Sequence, residues 1–223
     1  KACDAQVGDD FQINPQEIES RYFGVLTKLF NVARFASQFD VPQDFETPPE
    51  DLPIEDRWIL SEFDGSMKRV EAAWSEIDIY NAAQTLKGFG TGVFPSHWLE
   101  MAKSRLYDGD IRAAWTLHRI VRDLLTGLTP ICPFFTHYLS TELYGKSSID
   151  VREFPQLNPG ILGDDAERLR SLTNHISDFN SSVWKEKKDA GLSLKSSISD
   201  FDIPAELEEF SEPLIKMHAL EFS

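Results

Sequence analysis

Cysteine is scarce in this chain, and long apolar runs are missing. The two cysteines, Cys3 and Cys132, lie far apart and form no CxxC pair, so we expect reduced thiols and no metal site. No apolar run approaches the roughly 20 residues that a membrane-spanning helix needs, and no signal peptide precedes Lys1. These absences predict a cytoplasmic protein with no membrane partner.

Recognisable catalytic arrangements are also missing. No Ser-His-Asp set and no pair of carboxylates can be placed, and Gly88-Phe-Gly-Thr-Gly92 lacks the Lys-Ser/Thr and the preceding strand of a phosphate-binding loop. A lone histidine on a helix is usually structural, and no metal-ligand spacing relates His97, His118, His137, His175 and His218. The sequence therefore predicts no catalytic residue and no metal ligand.

Acidic residues outnumber basic ones by 37 to 22, which gives a formal net charge of −15. This total argues against nucleic-acid binding, but phosphate binding depends on local basic patches that the total conceals. Seven acids and no Lys or Arg lie in residues 40–56, whereas cations gather at Lys28/Arg34, Lys103/Arg105, Arg112/Arg119/Arg122 and Lys185/Lys187/Lys188. This uneven distribution of charge fits an RNA-binding face on an acidic protein, and it fits an ordinary acidic protein almost as well.

Helical periodicity dominates the first 158 residues. Asn14-Pro15-Gln16-Glu17 is typical of a helix start, with a capping Asn, Pro at the first helical position and Glu three residues after the cap. A second helix carries apolar residues at alternating three- and four-residue steps, as bundle helices do: Leu60, Phe63, Met67, Val70, Trp74 and Ile77. We expect an antiparallel bundle with helices near 14–39, 54–77, 79–106 (distorted by glycines and Pro95), 111–128, and a shorter one ending near 144. The helix at 111–128 places seven residues on one stripe: Ile111, Ala114, Trp115, His118, Val121, Leu125 and Leu128.

After Pro159 the pattern changes. One helix is expected from about Leu162 to Ala190, ended by Gly191, and residues 192–203 alternate like a strand. A short helix at 204–216 and a last strand at 219–222 would follow. The predicted fold is therefore mainly α: a helical bundle over 1–158 and a small α/β appendage over 159–223.

The first helix offers two different faces. Residues three and four apart share a side, so Lys28, Asn31, Arg34 and Phe35 can lie together opposite an apolar stripe. Two cations, an amide and an aromatic ring suit an unpaired RNA loop, because they can contact a phosphate, a base edge and a base face. The alternative is that Phe35 belongs to the core and the polar residues form a solvated face.

Three segments carry a resemblance to a known family. They read K-L-F-N-V-A-R-F at 28–35, D-R-W-I-L at 56–60 and W-L-E-M-A-K-S-R-L-Y at 98–107. In this order they resemble the anticodon-binding helical domain of class I aminoacyl-tRNA synthetases, most of all archaeal-type valyl-tRNA synthetases. Shorter likenesses follow at 129–135, 142–144, 148–155 (which resembles a strand-like segment of the family) and 185–195. Leucyl- and isoleucyl-tRNA synthetases share the bundle and the D-R-W motif, so they stay alternatives.

The resemblance implies recognition of a tRNA anticodon and anticodon stem, in support of the ATP-dependent ligation of valine to tRNA. Signatures of the HIGH and KMSKS type are missing, and the likeness of Met101-Ala-Lys-Ser-Arg105 to KMSKS is a coincidence at a helix end. The implied partners are valine-accepting tRNA and the catalytic and editing domains of the same polypeptide. ATP and magnesium are implied for the full-length enzyme, and no cofactor is implied for this chain.

The family's anticodon contacts lie on the first helix and at the end of the third. They carry over to Lys28, Asn31 and Phe35, and then to Lys103, Arg105 and Leu106; Arg34 joins them through its place on the polar face of the first helix. A competing interpretation is a freestanding acidic helical scaffold with no RNA role.

Overall fold

The computed structural model of the protein describes residues 23–145, 149, 152–157, 159–199 and 201–221. The described residues before 146 form α1 (Phe23–Ala36), α2 (Ile54–Ser75), α3 (Ile79–Gly88), a π-helical segment (Phe89–Trp98), α4 (Leu99–Tyr107), α5 (Ile111–Leu128) and α6 (Pro133–Tyr144). The predicted mainly α bundle is confirmed. The expected start of the first helix at Asn14 lies outside the described residues, and that helix ends at Ala36 rather than near Phe39.

Helix α2 packs a largely buried face into the bundle. Phe63, Met67 and Val70 are almost fully buried, as the alternating pattern predicted. The prediction fails at the end of the pattern, because the helix stops at Ser75 and Ile77 is 80% exposed, with a φ of 60°. Trp74, the second-to-last residue of α2, is only half-buried.

The glycine-rich stretch between α3 and α4 is a wide helical turn rather than a break. The Leu99 N–H bonds to the Phe94 carbonyl five residues earlier, the spacing that defines a π-helix. This spacing brings Phe89 and Phe94 onto one face, where their rings stack with centroids 5.7 Å apart. Gly90 is closely packed, since a Cβ there would come within 2.9 Å of the Leu124 side chain, which would have to shift.

Helix α5 has the predicted bounds, and most of its residues are buried. Ile111 is an exception, since it is 72% exposed although the apolar stripe included it. Arg119 is 1% exposed and pairs with Asp123 one turn later, at 2.6 Å. Burial of a charged pair of this kind is tolerated because both partners are hydrogen-bonded.

The C-terminal part holds α7 (Pro159–Leu162), α8 (Ala166–Ser171), α9 (Thr173–Asp189), β1 (Ile198–Ser199), a 3₁₀ helix (Ala205–Phe210), α10 (Ser211–His218) and β2 (Leu220–Glu221). The single helix predicted from 162 to 190 is wrong: Gly163, with a φ of 73°, follows α7, and two further helices come after it. The two short strands are parallel, pairing Ile198 with Leu220. The 3₁₀ helix and α10 supply the crossover that a parallel pair needs.

The strand predicted for residues 192–203 shrinks to β1. Gly191 has a φ of 69°, and a turn from Ser193 to Ser196 follows it, so an extended conformation is not possible there. The strand-like segment expected at 148–155 lies partly outside the described residues, and its described end, from Arg152 onward, is not a strand. No helix in the described ranges combines the length and the apolar character needed to cross a bilayer.

Candidate nucleic-acid interface

Helix α1 has the two faces that its sequence predicted. Leu29, Val32, Ala33 and Ala36 are buried against the bundle. The other face exposes Lys28, Asn31 and Arg34 to solvent. The exposed face thus combines two cations with one amide, which can bind phosphate oxygens and a base edge respectively.

Phe35 lies between these two faces and is half-buried. Its ring meets Phe39 edge-on at a centroid distance of 5.0 Å and Tyr107 at 6.1 Å, and Phe39 and Tyr107 are 5.6 Å apart. These edge-on contacts fix the ring orientation. Phe35 therefore has a core contact and an accessible part, so neither of the two sequence interpretations describes it alone.

The predicted residues at the end of α4 have structural contacts. Lys103 donates to Glu100 at 2.8 Å, while Leu106 is only 3% exposed. The Arg105 guanidinium bonds to three carboxylates, with distances of 2.7 Å to Glu55 Oε1, 2.7 Å to Asp56 Oδ2 and 2.9 Å to Asp110 Oδ2. Burial would raise the pKa of Asp110, but hydrogen bonds from Arg112 and Arg105 outweigh it and hold that pKa well below its usual range.

A groove of about 700 Å³ opens beside α1 and brings together residues from distant parts of the chain. Lys28, Asn31 and Phe35 line it, whereas Arg34, Lys103, Arg105 and Leu106 do not. Pro95 and Leu99 of the π-helical segment and α4 also line it, and so do Trp184, Leu194 and Lys195 of the C-terminal part. We call this cavity the α1 groove. Three of the seven predicted site residues therefore meet in one place.

A family model for the anticodon-binding domain of tRNA ligase matches residues 56–201, well over half of the chain. The chain belongs to this anticodon-binding family. It is similar to valine–tRNA ligase of Aeropyrum pernix, with 29% identity over 97% of this chain and 27% of that protein. It is also similar to valine–tRNA ligase of Saccharolobus solfataricus, with 32% identity over 88% of this chain and 23% of that protein. With valine–tRNA ligase of Pyrobaculum aerophilum the identity is 34%, over 86% of this chain and 24% of that protein. The chain thus spans about a quarter of the length of these relatives.

The D-R-W motif of this anticodon-binding domain holds the molecule together rather than facing the groove. Fully buried Asp56 accepts hydrogen bonds from Arg105 and from Trp98 Nε1, the latter at 2.9 Å. Arg57 pairs with Asp165 at 3.0 Å. Trp58 Nε1 donates to Thr173 Oγ1 at 3.0 Å. Two of the three sequence motifs therefore meet at Asp56, and the motif also ties α2 to the C-terminal helices.

The basic cluster predicted at Arg112, Arg119 and Arg122 is not an open positive surface. Arg112 pairs with Asp110 at 3.1 Å, and Arg122 pairs with Glu46 at 3.0 Å. Arg119 is buried against Asp123 and also reaches Glu46. Glu46, one of the acids of the 40–56 segment, thus neutralises part of the positive charge of this cluster.

The C-terminal residues of the α1 groove were not predicted from the sequence. The sequence contains the cations at 185–188 and the family likeness that ends at Lys195, but local spacing does not connect them with α1. The available signal was an apolar and basic loop, Gly191-Leu-Ser-Leu-Lys195, that follows a helix end. In the structure, Leu192 and Leu194 of this loop are 41% and 56% exposed. Apolar side chains left in solvent are an indication of a binding surface when they lie together.

Proposed function

We propose that this chain is the region of a valine–tRNA ligase that recognises the anticodon loop of its tRNA. The supporting observation is the α1 groove, where exposed Lys28 and Asn31 and the half-buried ring of Phe35 meet residues of the segment 56–201, which matches the anticodon-binding family. Lys28 would bind a phosphate, Asn31 would read a base edge, and the accessible part of Phe35 would contact a base face.

The proposed interface extends along α1 to Arg34, which is exposed on the same face. Lys103 is a weaker member, because it is paired with Glu100 beside the groove. Arg105 and Leu106 would act indirectly: one fixes α4 to α2 through carboxylates, and the other packs in the core. Their substitution should alter folding stability before it alters RNA binding.

The remaining parts of the proposed function concern the longer polypeptide. Valine-accepting tRNA would be the substrate, and the catalytic and editing domains would follow the family pattern and use ATP with magnesium in the cytoplasm. The similarity to several valine–tRNA ligases favours valine over leucine or isoleucine as the amino acid. Binding to transcripts of the valine, leucine and isoleucine tRNAs, compared side by side, would test this choice.

A titration with an unmodified valine tRNA transcript at two salt concentrations tests the RNA role. Lys28→Ala should weaken binding and lower the slope of log K against log salt by about one, since one phosphate contact is lost. Lys68→Ala removes an exposed lysine from α2, away from the groove, and serves as the matched control. Equal binding by both variants, or no binding by the unmodified chain, would favour the scaffold alternative.

Base reading by Asn31 has a separate test. Asn31→Ala should reduce the preference for the correct anticodon over an altered one, because an amide that contacts a base edge carries sequence information. Asn174, an exposed residue of α9 outside the groove, provides the matched Asn→Ala control. If Asn31→Ala keeps the full anticodon preference, Asn31 does not read a base.

A further inference from the structure

The C-terminal part supplies one side of the α1 groove. Trp184 comes from α9, and Leu194 and Lys195 come from the loop between α9 and β1. Lys195 is exposed, so its ammonium group is accessible to a ligand. These residues lie more than 140 positions from α1, which is why their joint contribution to the groove becomes visible only in the folded chain.

A buried lysine fixes this loop. Lys187 is fully buried, and its Nζ donates to the carbonyl of Leu194 at 3.0 Å and to the carbonyl of His218 at 2.6 Å. The Leu192 N–H donates a hydrogen bond to the Lys187 carbonyl at 2.7 Å. The loop that carries Leu194 and Lys195 is thus tied to α9 and to the end of α10, and it is ordered before any ligand binds.

The ring of Trp184 is also held in place. It stacks on His97 at a centroid distance of 5.7 Å and meets His218 edge-on at 5.7 Å. Asn180 joins these two histidines, with buried hydrogen bonds of 2.9 Å to His97 Nδ1 and 2.8 Å to His218 Nε2. A ring with fixed neighbours loses little conformational entropy on binding, so the surface is preorganised.

We propose that the α1 groove holds one unpaired nucleotide of the RNA between α1 and the C-terminal loop. Trp184 and Leu194 would contact the base, and Lys28 and Lys195 would contact phosphates on its two sides. This inference rests on the proposed function and assigns the C-terminal part a direct share in RNA binding.

Charge and shape favour a nucleotide as the occupant. The groove has a lysine from each of two distant segments, and the one carboxylate among its described lining residues, Glu100, is already paired with Lys103 at 2.8 Å. A base is a flat ring with an anion on either side along the chain, which matches an apolar surface flanked by cations. A volume of about 700 Å³ lies in the range of small-ligand sites, roughly 300–1,000 Å³.

The test measures binding of the full chain to a valine tRNA transcript and to a stem-loop RNA with the same anticodon loop. Lys195→Ala should weaken binding at low salt and lower the salt slope by about one, as Lys28→Ala does. Trp184→Ala should weaken binding about 5- to 150-fold, the range for losing a base–aromatic stack, with little change in slope. A closed RNA duplex of equal length should compete poorly, because it offers no unpaired base.

Matched variants keep this test decisive. Lys68→Ala and Trp74→Ala remove an exposed lysine and a half-buried tryptophan of α2, outside the groove, and should bind like the unmodified chain. Trp184→Phe keeps an aromatic ring and should restore most of the binding if Trp184→Ala reduces stability. Because Lys195 is exposed, its substitution should change folding stability by less than about 0.5 kcal/mol.

The outcomes distinguish the two proposals. Loss of binding in Lys28→Ala, with Trp184→Ala and Lys195→Ala equal to their controls, overturns the nucleotide assignment and leaves the proposed function standing. Loss of binding in none of the three overturns both. Equal competition by the duplex would show that the groove binds the RNA backbone without an unpaired base, which also contradicts the assignment.

Discussion

Asp56 shows how a single buried carboxylate can organise several elements. It is fully buried at the start of α2 and accepts bonds from Trp98 and Arg105, which belong to two consecutive helical segments. Arg105 also reaches Glu55 and Asp110, so one guanidinium serves three carboxylates. Removal of either partner of a buried pair is costly because it leaves a desolvated charge without compensation.

Arg105→Ala should therefore destabilise the chain by about 3–5 kcal/mol. The control is Arg168→Ala, which breaks an ion pair with Glu209 whose side chains are 47% and 55% exposed, and should cost less than about 1 kcal/mol. Urea unfolding of both variants measures the difference. Similar losses in the two variants would mean that Arg105 does not anchor α4 as described.

Phe35 has a second role that can be measured separately from binding. Its ring packs against Phe39 and Tyr107, so Phe35→Ala should lower stability by about 1–3 kcal/mol, less than the range for a fully buried ring. Phe134→Ala, at a position that is 92% exposed on α6, should change stability by less than about 0.5 kcal/mol. If Phe35→Ala were as harmless as its control, the ring would be free for RNA contact alone.

The spacing of apolar residues predicted burial correctly in the middle of the helices and wrongly at their ends. The apolar stripes of α2 and α5 correctly identified Phe63, Met67 and Leu125 as core, because buried neighbours surround a central turn on both sides. Ile77 and Ile111 fit the same stripes but are 80% and 72% exposed, since Ile77 lies just beyond the end of α2 and Ile111 is the first residue of α5. The spacing of apolar residues shows which of them lie on the same face of a helix. It does not show how far along that face the neighbouring helices pack.

The same limit applies to the candidate site. The polar face of α1 could be found from local spacing, because Lys28 and Asn31 are three positions apart on one helix. Trp184 and Lys195 could not, because their place beside α1 depends on tertiary contacts of α9. The burial of Leu106 and the ion pairs of Arg105 were also hidden, since both need the position of α2 and α5 relative to α4.

Phe63 and Trp74 belong to the same apolar stripe of α2 but differ in how deeply they are buried. Phe63 is fully buried, and Phe63→Ala should cost about 3–5 kcal/mol. Trp74 is half-buried, and its Nε1 has no hydrogen-bond partner among the described residues, an unfavourable feature that partly offsets its packing. Trp74→Ala should therefore cost only about 1–3 kcal/mol. Denaturant unfolding that ranked Trp74→Ala above Phe63→Ala would contradict the burial described for α2.

At the scale of the whole molecule, buried and partly buried contacts connect residues on either side of position 158. Trp58 bonds to Thr173 and packs against Phe210, Arg57 pairs with Asp165, and His97 bonds to Asn180. The division into a bundle over 1–158 and an appendage over 159–223 stays a prediction from sequence. With these contacts in place, we expect the two parts to stabilise each other, and the proposed RNA groove needs both.

His218 bonds to Asn180, which in turn bonds to His97, and its burial makes the stability of the folded chain depend on pH. Burial, with nearby Lys187 and His97, lowers the pKa of His218 to about 4, against about 6.5 in an unfolded chain. Between these pH values the unfolded state binds a proton that the folded state does not bind. The contribution of His218 to the free energy of unfolding is therefore complete above about pH 6.5 and falls as the pH drops toward 4. Lowering the pH from 7 to 5 should cost up to about 2 kcal/mol through this residue.

His218→Gln isolates that contribution, because the glutamine amide can donate to Asn180 as the imidazole does but cannot take up a proton in this range. The variant should lose less stability than the unmodified chain between pH 7 and pH 5, measured by urea unfolding at both values. His175→Gln, at an exposed position of α9, is the control and should keep the full pH dependence. If His218→Gln loses as much stability on acidification as the unmodified chain does, His218 does not govern the pH response, and other groups whose pKa values are lowered in the folded chain, such as His97 and His118, account for it instead.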